Sequence, residues 1–171
     1  MDKFIFREKK SLSGDTCEKL INLFNQSSDT VRNVRGYTYA TLQLQRFPSI
    51  VDPLNLGIQK YLKKHKFLRE GPGMWGWSDY FLLQKYEVGE CYKGEHMEHG
   101  GSEYDCRRIL GWMVYLNDCD GGTRWPQQRF TTRPRQGDLY IWPAGWTHSH
   151  HGLPASKEKY ILTGWCELVN K

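Results

Sequence analysis

With 171 residues the chain can bury a sizeable core, and a single domain over 1–171 is the expected count. Aromatic residues make up 14%, including seven Trp and ten Tyr, which excludes a disordered chain and suits β structure. The net charge of +5 is thinly spread except at Lys60–Lys66, a stretch that falls on an expected helix and reads as a solvated face, so nucleic-acid binding is disfavoured.

Residues 1–10 read as an edge strand or arm. Ser13 or Asp15 can cap a helix whose apolar positions Cys17, Leu20, Ile21 and Phe24 follow helical spacing. Ser27 to Arg35 is polar and reads as a connection, and Tyr37 to Gln45 alternates as a strand does. Pro53 suits the first turn of a second helix with Leu54, Ile58, Tyr61 and Leu62 on one face, and Gly71-Pro72-Gly73 ends this part. Residues 1–74 are therefore expected to supply supporting helices and strands that brace one sheet.

From Trp75 onward short apolar runs recur between turn signals: Tyr80–Tyr86, Ile109–Leu116, Phe130–Thr132, Leu139–Trp142 and Tyr160–Leu168. This predicts a β-core over 75–171, a sandwich or barrel with flanking helices. A doubly wound fold is disfavoured, because no strand leads through a glycine-rich turn into a helix.

The five cysteines form no Cys-x-x-Cys pair, so neither a disulfide framework nor a structural zinc site is indicated. The opening residues carry no signal-like apolar run, and no stretch nears the roughly 18 apolar residues of a membrane span. A reducing, cytoplasmic setting without a membrane partner is the expectation.

The chemistry-bearing residues fall into two groups. His96-Met97-Glu98 is the chain's His-x-acid triplet, though about 0.7 such triplets are expected by chance at this composition. On an extended segment residues 96 and 98 point to the same face and can reach one ion. The second group, His148, His150 and His151, lies some fifty residues on and is followed by Lys159, which opens the last apolar run. Two histidines and a carboxylate on one face of a ferrous ion leave three positions free, enough for a bidentate 2-oxo acid and dioxygen. A nearby lysine can hold the far carboxylate of such an acid. His99 and His151 read as surface residues, and the tryptophans mainly as core.

The ordered run from Tyr80 to Leu168 carries more information than the triplet. It contains Lys85-Tyr86-x-x-Gly89-Glu90, His96-x-Glu98, Arg108, Tyr115-Leu116-Asn117 and Gly121-Gly122-Thr123. Arg133-Pro134-x-x-Gly137-Asp138, Trp146-Thr147-His148-x-His150-x-Gly152-x-Pro154 and Lys159-Tyr160 with Thr163 and Trp165 follow. This run resembles the prolyl 4-hydroxylase-like branch of the Fe(II)/2-oxoglutarate-dependent dioxygenases, especially its short single-domain bacterial and phage members. The resemblance implies a double-stranded β-helix (jelly-roll, cupin-like) with the metal at its open end. It assigns His96, Glu98 and His150 as iron ligands, with His148 as the alternative to His150. It also assigns Lys159, with Tyr115, Tyr86 and Thr163, to 2-oxoglutarate, and leaves His148 as a candidate substrate contact; Arg124, beside the glycine pair, and Trp146, as a pocket rim, are two more. Glu98 stands where the family usually has Asp, and Lys159 follows the histidine by nine residues where ten is commoner.

The implied reaction is hydroxylation of a prolyl residue in a protein or peptide, with 2-oxoglutarate decarboxylated to succinate, dioxygen consumed, and ascorbate a candidate addition. The alternatives are the same chemistry on a free amino acid, nucleic acid or small metabolite, or a cupin-like binding module without catalysis.

Overall fold

Strands that must bury both faces read as near-continuous apolar runs, and two of them form the centre of this molecule. In the computed structural model, which describes residues 3–71 and 73–169, these are β6 (Arg108–Tyr115) and β11 (Lys159–Leu168). They pair antiparallel, Ile161 opposite Tyr115 and Thr163 opposite Met113. The other elements, in chain order, are β1 (Phe6–Glu8), α1 (Gly14–Gln26), β2 (Val31–Asn33), β3 (Tyr37–Gln43), α2 (Pro48–Lys64), α3 (Phe67–Glu70), β4 (Trp75–Trp77), β5 (Tyr80–Tyr86), β7 (Thr123–Trp125), β8 (Phe130–Thr131), β9 (Leu139–Pro143) and β10 (His151–Gly152). The large antiparallel sheet runs β1-β9-β6-β11-β5-β3-β2, with β4 added to the far end of β11; a small sheet, β10-β7-β8, faces it.

Period-two alternation sorts the side chains into two layers. Phe81 and Leu83, Trp112 and Val114, Leu139 and Ile141, and Tyr160 and Leu162 pack outward with Leu20 and Phe24 of α1 and Leu54, Ile58 and Tyr61 of α2. The intervening residues Tyr86, Met113, Tyr115, Tyr140, Trp142 and Ile161 point inward and join Trp125 of the small sheet. Two facing antiparallel sheets with helices on one outer face form the double-stranded β-helix expected from the sequence. Asp138, buried at 1% exposure, accepts from Arg7 Nε at 2.8 Å and from the Lys10 backbone N–H at 3.0 Å, which ties the β1 arm to the sheet edge.

Local expectations hold where a cap or period is strong. Ser13 caps α1, its Oγ accepting from Thr16 N at 3.1 Å. Three differ. Val31–Asn33 is a strand within the expected polar connection; it is held by backbone pairing to β3 around Gly36, whose φ of +93° favours glycine. The second helix begins at Pro48, which lacks no partner in a first turn, so Pro53 lies inside the helix and removes one ladder bond. The strands β4, β7 and β10 are too short to announce themselves by alternation. Of the Gly71-Pro72-Gly73 break, Pro72 lies outside the described residues. Among the described residues no helix is long and apolar enough to cross a membrane.

Candidate metal and co-substrate site

Between the sheets lies a cavity of about 430 Å³, lined by residues from both halves of the chain. At one side of it His96, Glu98 and His150 converge, each offering a ligand atom within 4.8 Å of the others. The segment carrying His96 is not a regular strand. It is extended and meets His150 through a single antiparallel bridge, His96 N to His150 O at 2.9 Å and His150 N to His96 O at 2.8 Å. The bridge sets the two imidazoles side by side, ring centres 4.4 Å apart. Glu98 follows two residues later on the same side, and its backbone N–H donates to Ala144 O at 3.1 Å.

Backbone carbonyls fix the tautomer of both histidines. His150 Nδ1 donates to His148 O at 3.0 Å, and His96 Nδ1 donates to Gly94 O over a longer 3.4 Å. A carbonyl can only accept, so Nε2 of each ring is left to face the site. His150 Nε2 then lies 3.2 Å from Glu98 Oε1. Two acceptors at that distance need a cation between or upon them, either a second proton on the ring or a metal ion. The separation matches the edge of an octahedron built from metal–ligand bonds of about 2.2 Å.

Aromatic rings hold these imidazoles in place. Tyr92 stacks on His96 at 3.9 Å, Trp125 stacks on His150 at 5.2 Å, and Trp142 meets His150 edge-on at 5.1 Å. Burial and the nearby His150 push the His96 pKa down to about 4, against a smaller opposing pull from Glu98. Burial alone would raise the Glu98 pKa, but the His150 hydrogen bond, both imidazoles and the Trp165 indole outweigh it and bring it down to about 2. Near neutral pH the site therefore presents a neutral His96 and an ionised carboxylate, the protonation states a divalent ion requires.

A second charged group lines the same cavity. Lys159 is 3% exposed, and its Nζ donates to the carbonyls of Gly121 and Leu153, at 3.2 and 3.3 Å. It sits 4.5 Å from the centre of the Tyr86 ring, and no carboxylate pairs with it among the described residues. Burial lowers its pKa. A buried ammonium balanced only by carbonyls and a ring face is suited to an incoming anion. Strand register explains the surroundings: Lys159 opposes Tyr86 of β5, and Ile161 opposes Tyr115 of β6. Tyr86 Oη donates to Gln84 Oε1 at 2.8 Å, while Tyr115 Oη lies 3.0 Å from Thr123 Oγ1 and 2.7 Å from Thr132 Oγ1. Burial raises both phenol pKa values, so both remain protonated. Thr163 lines the cavity but gives its proton to Trp112 O at 2.8 Å.

His96, Glu98, His150, Lys159, Tyr86, Tyr115 and Thr163 thus share one cavity. The His148 ring turns away, its Nε2 donating to Lys3 O at 3.0 Å and its Nδ1 lying 2.9 Å from Thr147 Oγ1; only its carbonyl reaches His150. Arg124 and Trp146 are exposed and do not line the cavity. Sequence reasoning missed Arg35, Tyr37, Gln84, Tyr92 and the contact of Trp165 with Glu98. Alternation signals some of these: Gln84 and Tyr86 share a face, as do Lys159, Ile161, Thr163 and Trp165.

Among curated proteins no match is found. Solved structures give strong matches of fold. A viral collagen prolyl hydroxylase from Paramecium bursaria Chlorella virus-1, in its 2OG complex, superposes with a TM-score of 0.78 at 19% identity, covering 98% of this chain and 97% of that one. A Pseudomonas putida prolyl-4-hydroxylase gives 0.73 at 18% identity over 98% of this chain and 94% of that chain. A Trichoplax adhaerens prolyl hydroxylase, in complex with a hypoxia inducible factor oxygen degradation domain peptide fragment, gives 0.71 at 19% identity over 96% and 83%. The family model of the 2OG-Fe(II) oxygenase superfamily matches residues 81–167, about half of the chain and the segment that carries the triad and Lys159. The donor set fits Fe(II), the buried ammonium fits a dicarboxylate, and the chain belongs to the 2OG-Fe(II) oxygenase superfamily as a 2-oxoglutarate-dependent dioxygenase.

Proposed function

We propose that the protein hydroxylates a prolyl residue in a protein or peptide, with His96, Glu98 and His150 holding Fe(II) and Lys159 holding the distal carboxylate of 2-oxoglutarate. The observation that carries the reading is the buried ammonium of Lys159, which pairs with no carboxylate among the described residues, in the same cavity as the triad. Bound iron and 2-oxoglutarate supply the oxidising chemistry, in which dioxygen gives one oxygen atom to a C–H bond of the substrate and 2-oxoglutarate leaves as succinate and carbon dioxide.

The chain's own contribution is binding, orientation and dryness. The two Nδ1–H bonds to carbonyls keep the Nε2 lone pairs aimed into the site. Lys159 gives a charge-assisted bond to the anion, with the Tyr86 ring beneath it. Tyr115 is braced by two threonine hydroxyls, so its ring is fixed before the co-substrate arrives. Trp125, Trp142 and Tyr92 surround the imidazoles and exclude water.

Support for a prolyl substrate comes from the fold likeness to three prolyl hydroxylases, one of them carrying a peptide. Incubation with proline-rich peptides, Fe(II), 2-oxoglutarate and oxygen tests it by mass spectrometry. The expected result is one added oxygen on proline, with succinate formed in step; succinate formation that peptide never stimulates would contradict the prolyl reading.

A further inference from the structure

The carboxylate at the head of the cavity uses its two oxygens differently. Glu98 Oε1 faces His150 Nε2 at 3.2 Å, whereas Oε2 accepts a hydrogen bond from Trp165 Nε1 at 2.6 Å. The indole has little freedom to leave. The Arg108 guanidinium lies 3.6 Å from the centre of its ring, and Tyr80 packs against it at 5.9 Å. Arg108 is anchored in turn by Asp105 Oδ1 at 2.8 Å and by the carbonyl of Glu98 itself at 3.3 Å. One guanidinium therefore holds both the backbone of Glu98 and the ring that holds its side chain.

A second, independent feature gives the glutamate arm its room. Gly111 sits in the middle of β6, opposite Trp165 on one side and Trp142 on the other. A Cβ at this position would lie 2.9 Å from Glu98 Cγ and 2.8 Å from Trp142 Cε2. Any larger residue would lift the arm off the sheet and away from Trp165. Glycine inside a strand weakens it, and here it marks a close approach.

We propose that Trp165 is a positioning residue for Glu98: its indole N–H occupies one carboxylate oxygen, so that Glu98 offers the other alone to the metal. This rests on the reading that the triad holds Fe(II). A glutamate with both oxygens free can chelate an ion with both, and would then take a position needed by the 2-oxo acid. A hydrogen bond from a ring clamped under Arg108 keeps that second oxygen engaged. The bond also uses the extra methylene of glutamate, because a carboxylate one carbon shorter would fall short of the indole.

Trp165→Phe keeps a smaller aromatic ring beneath Arg108 and removes the N–H donor. Anaerobic Fe(II) titrations compare the unaltered chain, Trp165→Phe, Glu98→Asp and the double variant, with thermal melting as the control for folding. Loss of the indole donor is expected to weaken Fe(II) binding about 10–100-fold while Glu98 is present. In the Glu98→Asp background the same change is expected to alter affinity by no more than about twofold. Equal weakening in both backgrounds, or none in either, would overturn the proposal. A second readout does not depend on the aspartate variant. At saturating Fe(II) and 2-oxoglutarate without oxygen, the visible absorption band of Trp165→Phe should be displaced from that of the unaltered chain, and an unchanged band would also overturn it. An unaltered chain that fails to bind Fe(II) would instead remove the triad reading on which this inference stands.

Discussion

His96 and His150 exchange a pair of backbone hydrogen bonds, 2.9 and 2.8 Å long, across an isolated bridge between two segments that belong to no common strand ladder. The bridge determines the separation of the imidazoles, and each ring is then oriented by a carbonyl on its Nδ1 side. If the triad holds Fe(II) as proposed, loss of either imidazole removes a ligand rather than an outer partner. Fe(II) affinity should fall by more than the roughly 10–100-fold typical of outer-shell losses in His96→Ala and in His150→Ala. His148→Ala should fall well short of that, since only its carbonyl reaches His150. Anaerobic Fe(II) titration checks the ranking; equal losses at 148 and 150 would contradict it.

Lys159 gives a prediction in two directions. Its ammonium is buried with no carboxylate partner among the described residues, a costly arrangement until an anion arrives. Lys159→Met should weaken 2-oxoglutarate about 10–100-fold, the range for a hydrogen bond to a charged group, and leave Fe(II) affinity unchanged. The same variant should melt no lower than the unaltered chain without ligand, and should lose the rise in melting temperature that 2-oxoglutarate gives. Isothermal titration and thermal melting read the two effects separately.

Acid should destabilise the metal-free chain through the triad. His96 has a folded pKa of about 4 against an ordinary 6.5, so between those values the unfolded chain binds the proton and the folded one does not. Its contribution to stability is present above 6.5 and is lost as the pH falls to about 4. Glu98, lowered from 4.5 to about 2, acts with the same sign over the next window down. Urea midpoints measured against pH should therefore fall less steeply between 6.5 and 4 for His96→Gln than for the unaltered chain. Parallel curves would show that His96 is not buried as a neutral ring.

Gly137 couples the N-terminal arm to the core. It has φ +81°, and a Cβ there would lie 2.2 Å from the Leu12 carbonyl oxygen. Gly137 O accepts from Leu12 N at 3.1 Å and Gly137 N donates to Tyr115 O at 2.8 Å. Gly137→Ala combines left-handed strain of about 1–2 kcal/mol with a backbone clash that no side chain can relieve, so destabilisation above about 2 kcal/mol is expected. Urea denaturation measures it directly.

The sequence was most legible where a single physical constraint acts over many residues. Recurring apolar runs marked β5, β6, β9 and β11 as strands, and the resemblance named Tyr86, Tyr115, Lys159 and Thr163, which line one cavity. That His150 would meet His96 was signalled by the His150-x-Gly152-x-Pro154 spacing and not by local structure, because position 150 lies in a bridge rather than a strand. Arg35 and Tyr37 were not legible at all. They come from the first half of the chain and reach the cavity only because β3 pairs with β5, Tyr39 opposite Gln84. That pairing has no local signature. The short strands β7 and β10 escaped for a related reason: two or three residues show no period, and backbone bonds to each other hold them.

The most direct test of the site is anaerobic addition of Fe(II) and 2-oxoglutarate, followed by visible absorption. If His96, Glu98 and His150 share one ion beside Lys159, a charge-transfer band should appear only with both additions and saturate at one iron per chain. It should vanish in His150→Ala, and should require more 2-oxoglutarate in Lys159→Met. An iron-loaded chain that shows no band with the keto acid, or an undiminished band in His150→Ala, would contradict the assignment.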